Sequence, residues 1–333
     1  MRRLTLILSD LYLPEEVVRG ASFPSALELP HLEWLLRFAN RAEQIRDWRS
    51  WLSTDIGAAH LSRMPVAQCC ALGRLDPGLA ATAWLATPVH LEARLDHVRL
   101  ADRGLLRLAA FEREAWISEF ARTFGPDYAL HDAGERAFLL SGASEVRVAS
   151  VDPARLLDAD IGRALPSGPA AGELRRLGTE IEMWLHGAAP NLVRERARER
   201  RLSALWFWGG GVADPAASPA ADFVRPEKVL VHGGDPFLTA LATQVTPPPA
   251  FAAFDRGATR QVVELSPMSG PSSERLANLD NHWFAPVRAA LSDGSLDAVD
   301  LVANDRLFRI AARPAWRIWR RRTHWLAQLA RKS

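Results

Sequence analysis

Apolar and polar residues follow two patterns along this chain. Short apolar runs are typical of strands buried in a parallel sheet, and longer stretches with apolar residues three and four positions apart are typical of amphipathic helices. The short runs are LTLIL at residues 4–8, LWFW at 205–208, VLVH at 229–232 and QVVEL at 261–265. The helical patterns include HLEWLLRFA at 31–39, ELRRLGTEIEMWL at 173–185 and HWFAPVRAAL at 282–291. Their alternation predicts an α/β fold with a mainly parallel sheet flanked by helices.

The segment between residues 82 and 142 has a different pattern. Residues 82–102 predict two strands with alternating apolar positions, residues 109–125 a helix, and residues 127–142 a hairpin around DAGE. This order predicts a small α+β module inserted into the larger domain, and the Pro- and Gly-rich LPSGPAAG marks its end. We therefore expect a core domain over 1–82, an inserted module over 83–164, and the remaining core with a basic C-terminal helix over 165–333.

The composition is that of an ordinary globular protein. With 333 residues, 48% of them hydrophobic and 24% charged, the chain can form one large domain or two. Cys69 and Cys70 are adjacent, a spacing that supports neither a disulfide framework nor a zinc site, and this favours a reducing cytoplasm. The first apolar run is too short for a signal peptide or a membrane span.

Three strand ends carry groups suited to ligand binding. In parallel sheets ligands bind beyond the carboxyl ends of the strands, where glycines let the backbone approach an anion. Asp10 follows the first strand, Gly209 and Gly211 follow LWFW, and Gly233 and Asp235 follow VLVH. The alternative is structural: the glycines provide tight turns with positive φ, and the two aspartates cap helices.

Asn191 and Arg194 lie one helical turn apart, just before LWFW. An amide and a guanidinium at this spacing can hold a phosphate or carboxylate through planar donors. The alternative is an N-cap asparagine before a solvated Arg/Glu helix.

Other chemical signals are weak. The nine histidines form no local metal-binding pattern, and Ser53 does not lie in a GxSxG elbow. The C-terminal WRIWRRRTHW has arginines between tryptophans, a pattern that nucleic-acid or membrane contacts can use. The alternative, which we favour, is a terminal helix with Trp316, Ile318 and Trp319 docked on the core. No other basic block accompanies this segment.

Residues 179–211, TEIEMWLHGAAPNLVRERARERRLSALWFWGGG, resemble a known family. They are similar to proteobacterial proteins labelled cofactor-independent phosphoglycerate mutase-like or RpfE-type regulatory proteins. They are similar, more distantly, to the archaeal-type cofactor-independent phosphoglycerate mutases, in which an Asn-x-x-Arg segment precedes a Trp-x-Trp-Gly-x-Gly strand end. Segments such as GDPFLTALA and HWFAPVRAAL extend the first resemblance over most of the chain.

The resemblance implies an alkaline-phosphatase-like core with an inserted domain, two manganese or zinc ions, and a serine that is phosphorylated during the reaction. Asp10 matches the first metal-binding aspartate. The chain departs from the pattern elsewhere: no histidine follows Asp305, the segment around Asp235 lacks the expected metal motif, and Ser53 lacks the nucleophile's surroundings. These departures predict that the fold is kept and the metals are lost.

Three hypotheses follow. The first is a non-catalytic, cofactor-free protein with a binding or regulatory role, whose anion pocket of Asn191, Arg194, Gly209, Gly211 and Gly233 takes a small phosphorylated or carboxylated ligand. The second is a metal-dependent phosphomutase or phosphatase whose ligands come from unusual positions, such as Asp10, His232, Asp235, His282 and Asp305. The third is a nucleic-acid-associated regulator that uses the basic C-terminal helix.

Overall fold

A computed structural model describes most of the chain. The described residues are 2–13, 27–40, 42–72, 74–143, 148–168, 171–212, 229–242, 244–248, 251, 260–267, 272–312 and 319–330. They form two compact units: unit 1 comprises Met1–Leu52, Pro226–Gly233 and Gln244–Ser333, and unit 2 comprises Ser53–Arg225 and Gly234–Thr243. The predicted domains, 1–82, 83–164 and 165–333, stay a prediction.

The strands in the described residues are β1 Arg3–Leu8, β2 Glu43–Gln44, β3 Trp84–Ala93, β4 Val98–Leu105, β5 Ala129–Asp132, β6 Phe138–Ser141, β7 Ala204–Trp208, β8 Leu230–His232, β9 Val245–Thr246, β10 Arg260–Leu265, β11 Ala298–Ala303 and β12 Arg306–Ala311. The α-helices are α1 Pro30–Phe38, α2 Trp48–Asp55, α3 Val66–Ala71, α4 Pro77–Ala81, α5 Ala110–Phe124, α6 Ala171–Gly187, α7 Ala189–Arg196, α8 Leu238–Leu241, α9 Ser272–Leu279, α10 Ala285–Asp293 and α11 Trp325–Ala330. A π-helical turn, Asp280–Phe284, joins α9 to α10.

Unit 1 is built on a seven-stranded sheet in the order β2-β12-β11-β1-β10-β8-β9. The five strands from β11 to β9 are parallel, and β12 and β2 extend the sheet antiparallel at one edge. Leu4, Leu6 and Leu8 of β1 alternate onto one face, where they pack with residues of α1, α9, α10 and α11. This arrangement confirms the predicted α/β class with a mainly parallel sheet flanked by helices.

Unit 2 is an α+β structure with an antiparallel sheet. The long strand β3 pairs with β4, β6 and β7, and β5 pairs with β6. Helices α5 and α6 cover one face of this sheet, where Trp116, Phe120 and Ile181 pack with Trp84 and Phe207. The predicted strands, helix and hairpin of residues 82–142 are all present.

Two expectations are wrong. LWFW, in β7, pairs antiparallel with β3 and does not end a parallel strand, because an apolar run shows that a strand is buried and not which partner it has. The C-terminal helix is short, since residues 319–324 are not helical, and Trp319 is 65% exposed instead of docked. Trp325 takes the docked position, fully buried, with its indole Nε1 donating to Leu27 O at 2.9 Å. Trp316 and Ile318 lie outside the described residues.

No helix in the described part of the chain has the length and apolar character to cross a membrane.

Candidate functional site

The carboxyl ends of three neighbouring parallel strands meet at one edge of the unit 1 sheet. Leu8 of β1 is in register with Leu265 of β10 and with Ala303 of β11, so the residues that follow these strands share this edge. Asp10 is 3% exposed, and its carboxylate accepts a hydrogen bond of 2.5 Å from the Ser266 hydroxyl. This is the location at which parallel sheets bind ligands.

A second buried carboxylate, Glu264, is the penultimate residue of β10, two positions before Ser266. The Ser9 hydroxyl donates to the Glu264 carboxylate, which is fully buried on β10. Sequence reasoning missed Glu264, although an acidic residue inside the apolar run QVVEL was a usable signal. The edge therefore joins two carboxylates to two serine hydroxyls.

Asp305 lies at the same edge but belongs to a tight turn. Asn304 and Asp305 connect β11 to β12 with φ angles of 49° and 55°, the two positive values that a two-residue type I′ hairpin turn requires. The Asn304 side chain accepts from Leu13 N at 3.0 Å and donates to Leu329 O at 3.0 Å. Turn geometry is thus sufficient to explain why polar residues occupy both positions.

In the described part of the chain, the donors at this edge do not make up the set that a pair of manganese or zinc ions needs. Two-metal sites are built from several converging carboxylates and imidazoles. Here Asp10 and Glu264 are each hydrogen-bonded to a serine hydroxyl. Among the described residues, no three His, Cys, Asp or Glu side chains are grouped as a metal-binding set.

Asn191 occupies the interior of unit 2, where it binds backbone. It lies in α7 instead of capping it, and it is fully buried. Its amide nitrogen donates to Leu185 O at 2.8 Å and to Leu202 O at 2.9 Å, and its amide oxygen accepts from Leu202 N at 2.9 Å. The side chain therefore ties the end of α6 to the segment that enters β7.

Arg194 is 6% exposed and binds acceptors of its own chain. Its Nε donates to Arg200 O at 2.7 Å, one terminal nitrogen pairs with Glu112, and the other lies 3.2 Å from a Glu199 carboxylate oxygen. Glu112 also accepts from Ala109 N at the start of α5. An anion at Arg194 would have to compete with two carboxylates, and the predicted anion pocket stays a prediction.

The glycines after β7 form a turn required by packing. Gly209 has φ +68° and Gly211 has φ +115°. A Cβ atom at Gly210 would lie 2.3 Å from the Trp84 ring, closer than any side chain tolerates. The carbonyl of Gly209 accepts from Ala67 N and that of Gly211 from the Gln68 side-chain amide, both at 2.8 Å. This turn therefore presents carbonyl oxygens to α3.

The GGD segment is divided between the two units. Gly233, in unit 1, donates from its backbone N to Thr246 O at 2.9 Å and so extends the pairing of β8 with β9. Asp235, in unit 2, accepts from Phe237 N at 2.9 Å in the turn before α8. Each residue thus has a local backbone role.

Ser53 and the cysteines are buried. Ser53 lies on α2 with no exposed surface, and its carbonyl accepts from Ala58 N at 2.7 Å. Cys69 and Cys70 are free thiols, as the sequence predicted. Burial raises the pKa of Cys69 to about 12, so this thiol is protonated and unreactive at neutral pH.

A cavity of about 500 Å³ lies within unit 2. Helix α6 and strand β7 line it together with residues near 91–98 and 160–166, and its walls are mainly apolar. Its volume falls in the range typical of small-molecule sites, ~300–1,000 Å³.

Five solved chains match this chain in fold, and two of them are named here. A cofactor-independent phosphoglycerate mutase from Thermoplasma acidophilum matches with a TM-score of 0.38 and 16% identity, over 93% of this chain and 89% of that chain. The PH0037 protein of Pyrococcus horikoshii matches with a TM-score of 0.47 and 11% identity, over 93% of this chain and 87% of that chain. No family model matches the chain, and no curated protein does. The chain is similar in fold to these proteins at low identity, and the likeness carries no residue role or activity to it.

Proposed function

We propose that this protein is a non-catalytic binding or regulatory protein with a phosphoglycerate mutase-like fold. The observation that carries the proposal is the environment of Asp10, the position that the resemblance assigns to the first metal ligand. Its carboxylate accepts from the Ser266 hydroxyl, and the neighbouring Ser9 hydroxyl donates to Glu264. Hydrogen bonds between neighbouring strands thus replace the converging carboxylates and imidazoles of a two-metal site.

The remaining positions support the same proposal. Asp305 forms a hairpin turn, Asp235 accepts from a backbone amide, and Asn191 and Arg194 bind groups of their own unit. Each therefore has a structural role that persists without catalysis. The cavity in unit 2 gives the protein a place for a small ligand.

Metal loading tests the proposal. The purified chain is stripped with a chelator, incubated with excess Mn²⁺ or Zn²⁺, desalted and analysed for bound metal, with phosphoglycerate mutase activity measured in parallel. We expect less than one ion per chain and no activity. Asp10→Asn keeps an acceptor oxygen for Ser266, so it should leave metal retention unchanged. The proposal would be overturned if the wild type bound two ions per chain and had measurable mutase activity, and if Asp10→Asn lost both.

A further inference from the structure

One face of α6 lines the unit 2 cavity and carries two charges of opposite sign. Arg175, Gly178, Thr179 and Glu182 all line the cavity, at positions i, i+3, i+4 and i+7 of the helix. Seven residues of α-helix rise about 10 Å, so the Cα atoms of Arg175 and Glu182 are separated by about that distance along the helix. Gly178 lies between them, and a Cβ built there meets no atom within 4 Å.

Neither charge is neutralised within the described part of the chain. Arg176 and Glu180, on the same helix, lie 3.8 Å apart, whereas the Arg175 guanidinium and the Glu182 carboxylate have no ion-pair or hydrogen-bond partner there. Partial desolvation raises the pKa of the Glu182 carboxyl, although the residue as a whole stays exposed to solvent, as Arg175 does. A ligand that occupies the cavity would displace water from both charged groups and so strengthen its own interactions with them.

Strand β7 forms another part of the cavity wall. Residues 204–207 all line the cavity, although successive side chains of a strand point to opposite faces. Four consecutive lining residues therefore indicate that the cavity reaches the backbone of the strand. Among the described residues, β3 is the one strand that pairs with β7. An extended backbone can add to such an edge through main-chain hydrogen bonds, while apolar walls accept its side chains.

We propose that this cavity binds a short zwitterionic peptide with apolar side chains, its carboxylate at Arg175, its ammonium at Glu182 and its backbone against β7. Three extended residues span about 10 Å, which matches the rise of α6 between Arg175 and Glu182. The apolar side chains pack against Leu205, Phe207 and their neighbours in the cavity wall. This inference rests on the proposed binding role and gives it a ligand class.

Calorimetric titration with three related peptides tests the charge arrangement. The probes are leucyl-alanyl-leucine, its N-acetylated form and its C-terminal amide, each added to the full chain at neutral pH. We expect the free tripeptide to bind with a Kd below about 1 mM and each cap to weaken binding at least tenfold, a loss of about 1.4 kcal/mol. Two results would overturn the proposal. One is equal affinity for the three peptides, and the other is no heat of binding with the free tripeptide up to about 10 mM, a concentration that detects even weak complexes.

Variants of two glycines on the same helix test the location. Gly178→Leu fills the cavity, and Gly172→Leu is the matched control, since a Cβ at either position meets no atom within 4 Å and Gly172 does not line the cavity. We expect both variants to fold and only Gly178→Leu to lose the tripeptide. Binding by Gly178→Leu with wild-type affinity would contradict the assignment.

Glu182→Gln separates recognition of the ammonium from simple filling of the cavity. This variant should weaken the free tripeptide and leave the affinity for the N-acetylated peptide unchanged, and an equal loss for both would contradict the ammonium contact. Metal analysis tests the proposed non-catalytic role without any peptide, so the two proposals can fail separately. Two bound metal ions per chain would refute the non-catalytic role, and the absence of peptide binding would refute the peptide site.

Discussion

A single side chain, Asn191, shows how a residue that resembles a ligand donor can instead serve the backbone. It satisfies two carbonyls and one amide in the interior of unit 2, at the junction of α6, α7 and β7. The sequence permitted either an anion donor or a helix cap, because both use an amide beside a helix. The observed role depends on Leu202, eleven residues away, which no local pattern indicates.

Asn191→Asp isolates this role. A carboxylate can still accept from Leu202 N, but it cannot donate to Leu185 O or Leu202 O, which would then face a buried negative charge. We expect the free energy of unfolding to fall by about 3 kcal/mol in urea denaturation, the scale for buried polar groups left without partners.

Leu192→Asp on the same helix is the control for the introduced charge. Leu192 is 45% exposed, and surface substitutions typically change stability by less than about 0.5 kcal/mol. Equal losses in the two variants would show that the charge itself, and not the lost amide donor, destabilises the protein.

At the scale of elements, hydrophobic periodicity predicted most strands and helices correctly, because burial of one face leaves a period of two or 3.6 in the sequence. Periodicity does not show which strand a given strand pairs with. The run LWFW resembles a parallel strand, yet β7 lies antiparallel to β3. Helix α1 starts after Leu29 without a cap of its own, and the Asp280 carboxylate accepts from Leu32 N at 2.8 Å. Because Asp280 is far from α1 in the sequence, no residue near the start of α1 indicates that this carboxylate caps the helix.

Two glycines in different elements should respond oppositely to alanine. At Gly210 the new methyl group would meet the ring of Trp84, which is 1% exposed and cannot withdraw, so we expect a loss of about 1–3 kcal/mol. At Gly178, inside α6, the methyl group meets open space, and the higher helix propensity of alanine should add about 0.5–1 kcal/mol. Guanidinium denaturation of both variants measures the difference. A stabilised Gly210→Ala would show that the turn after β7 is not packed against Trp84.

At the scale of the whole molecule, the sequence predicted the fold class better than the site. Asp10 and Asp305 belong to unit 1, whereas Asn191, Arg194 and Asp235 belong to unit 2. A chain that crosses between units several times gives no local sign of which unit a residue joins. Glu264, the penultimate residue of β10, was missed because the expected ligand positions follow the strands, and the charges at the cavity were missed because charged residues on an amphipathic helix are usually only its solvated face.

The dependence of stability on pH is a property of both units, since each contains a half-buried histidine. His131 lies 2.8 Å from the Ser141 hydroxyl in unit 2, and His232 lies 2.7 Å from the Thr246 hydroxyl in unit 1. Partial burial lowers the pKa of both imidazoles below the ordinary value of 6.5, because the charged form is less well solvated.

As the pH falls below 6.5, the unfolded chain therefore binds protons more readily than the folded chain. The contribution of these histidines to stability is complete above pH 6.5 and is lost between that pH and their lower folded-state pKa values. We expect the urea midpoint to fall between about pH 7.5 and pH 5.5, a range that brackets the histidine pKa. The double variant His131→Gln, His232→Gln should show a smaller fall, and His282→Gln, which changes an exposed histidine, should follow the wild type. Comparing each variant with the wild type at both pH values cancels the carboxyl groups that titrate in the same range. If the double variant lost as much stability as the wild type, the acid sensitivity would have to arise from groups other than these two imidazoles.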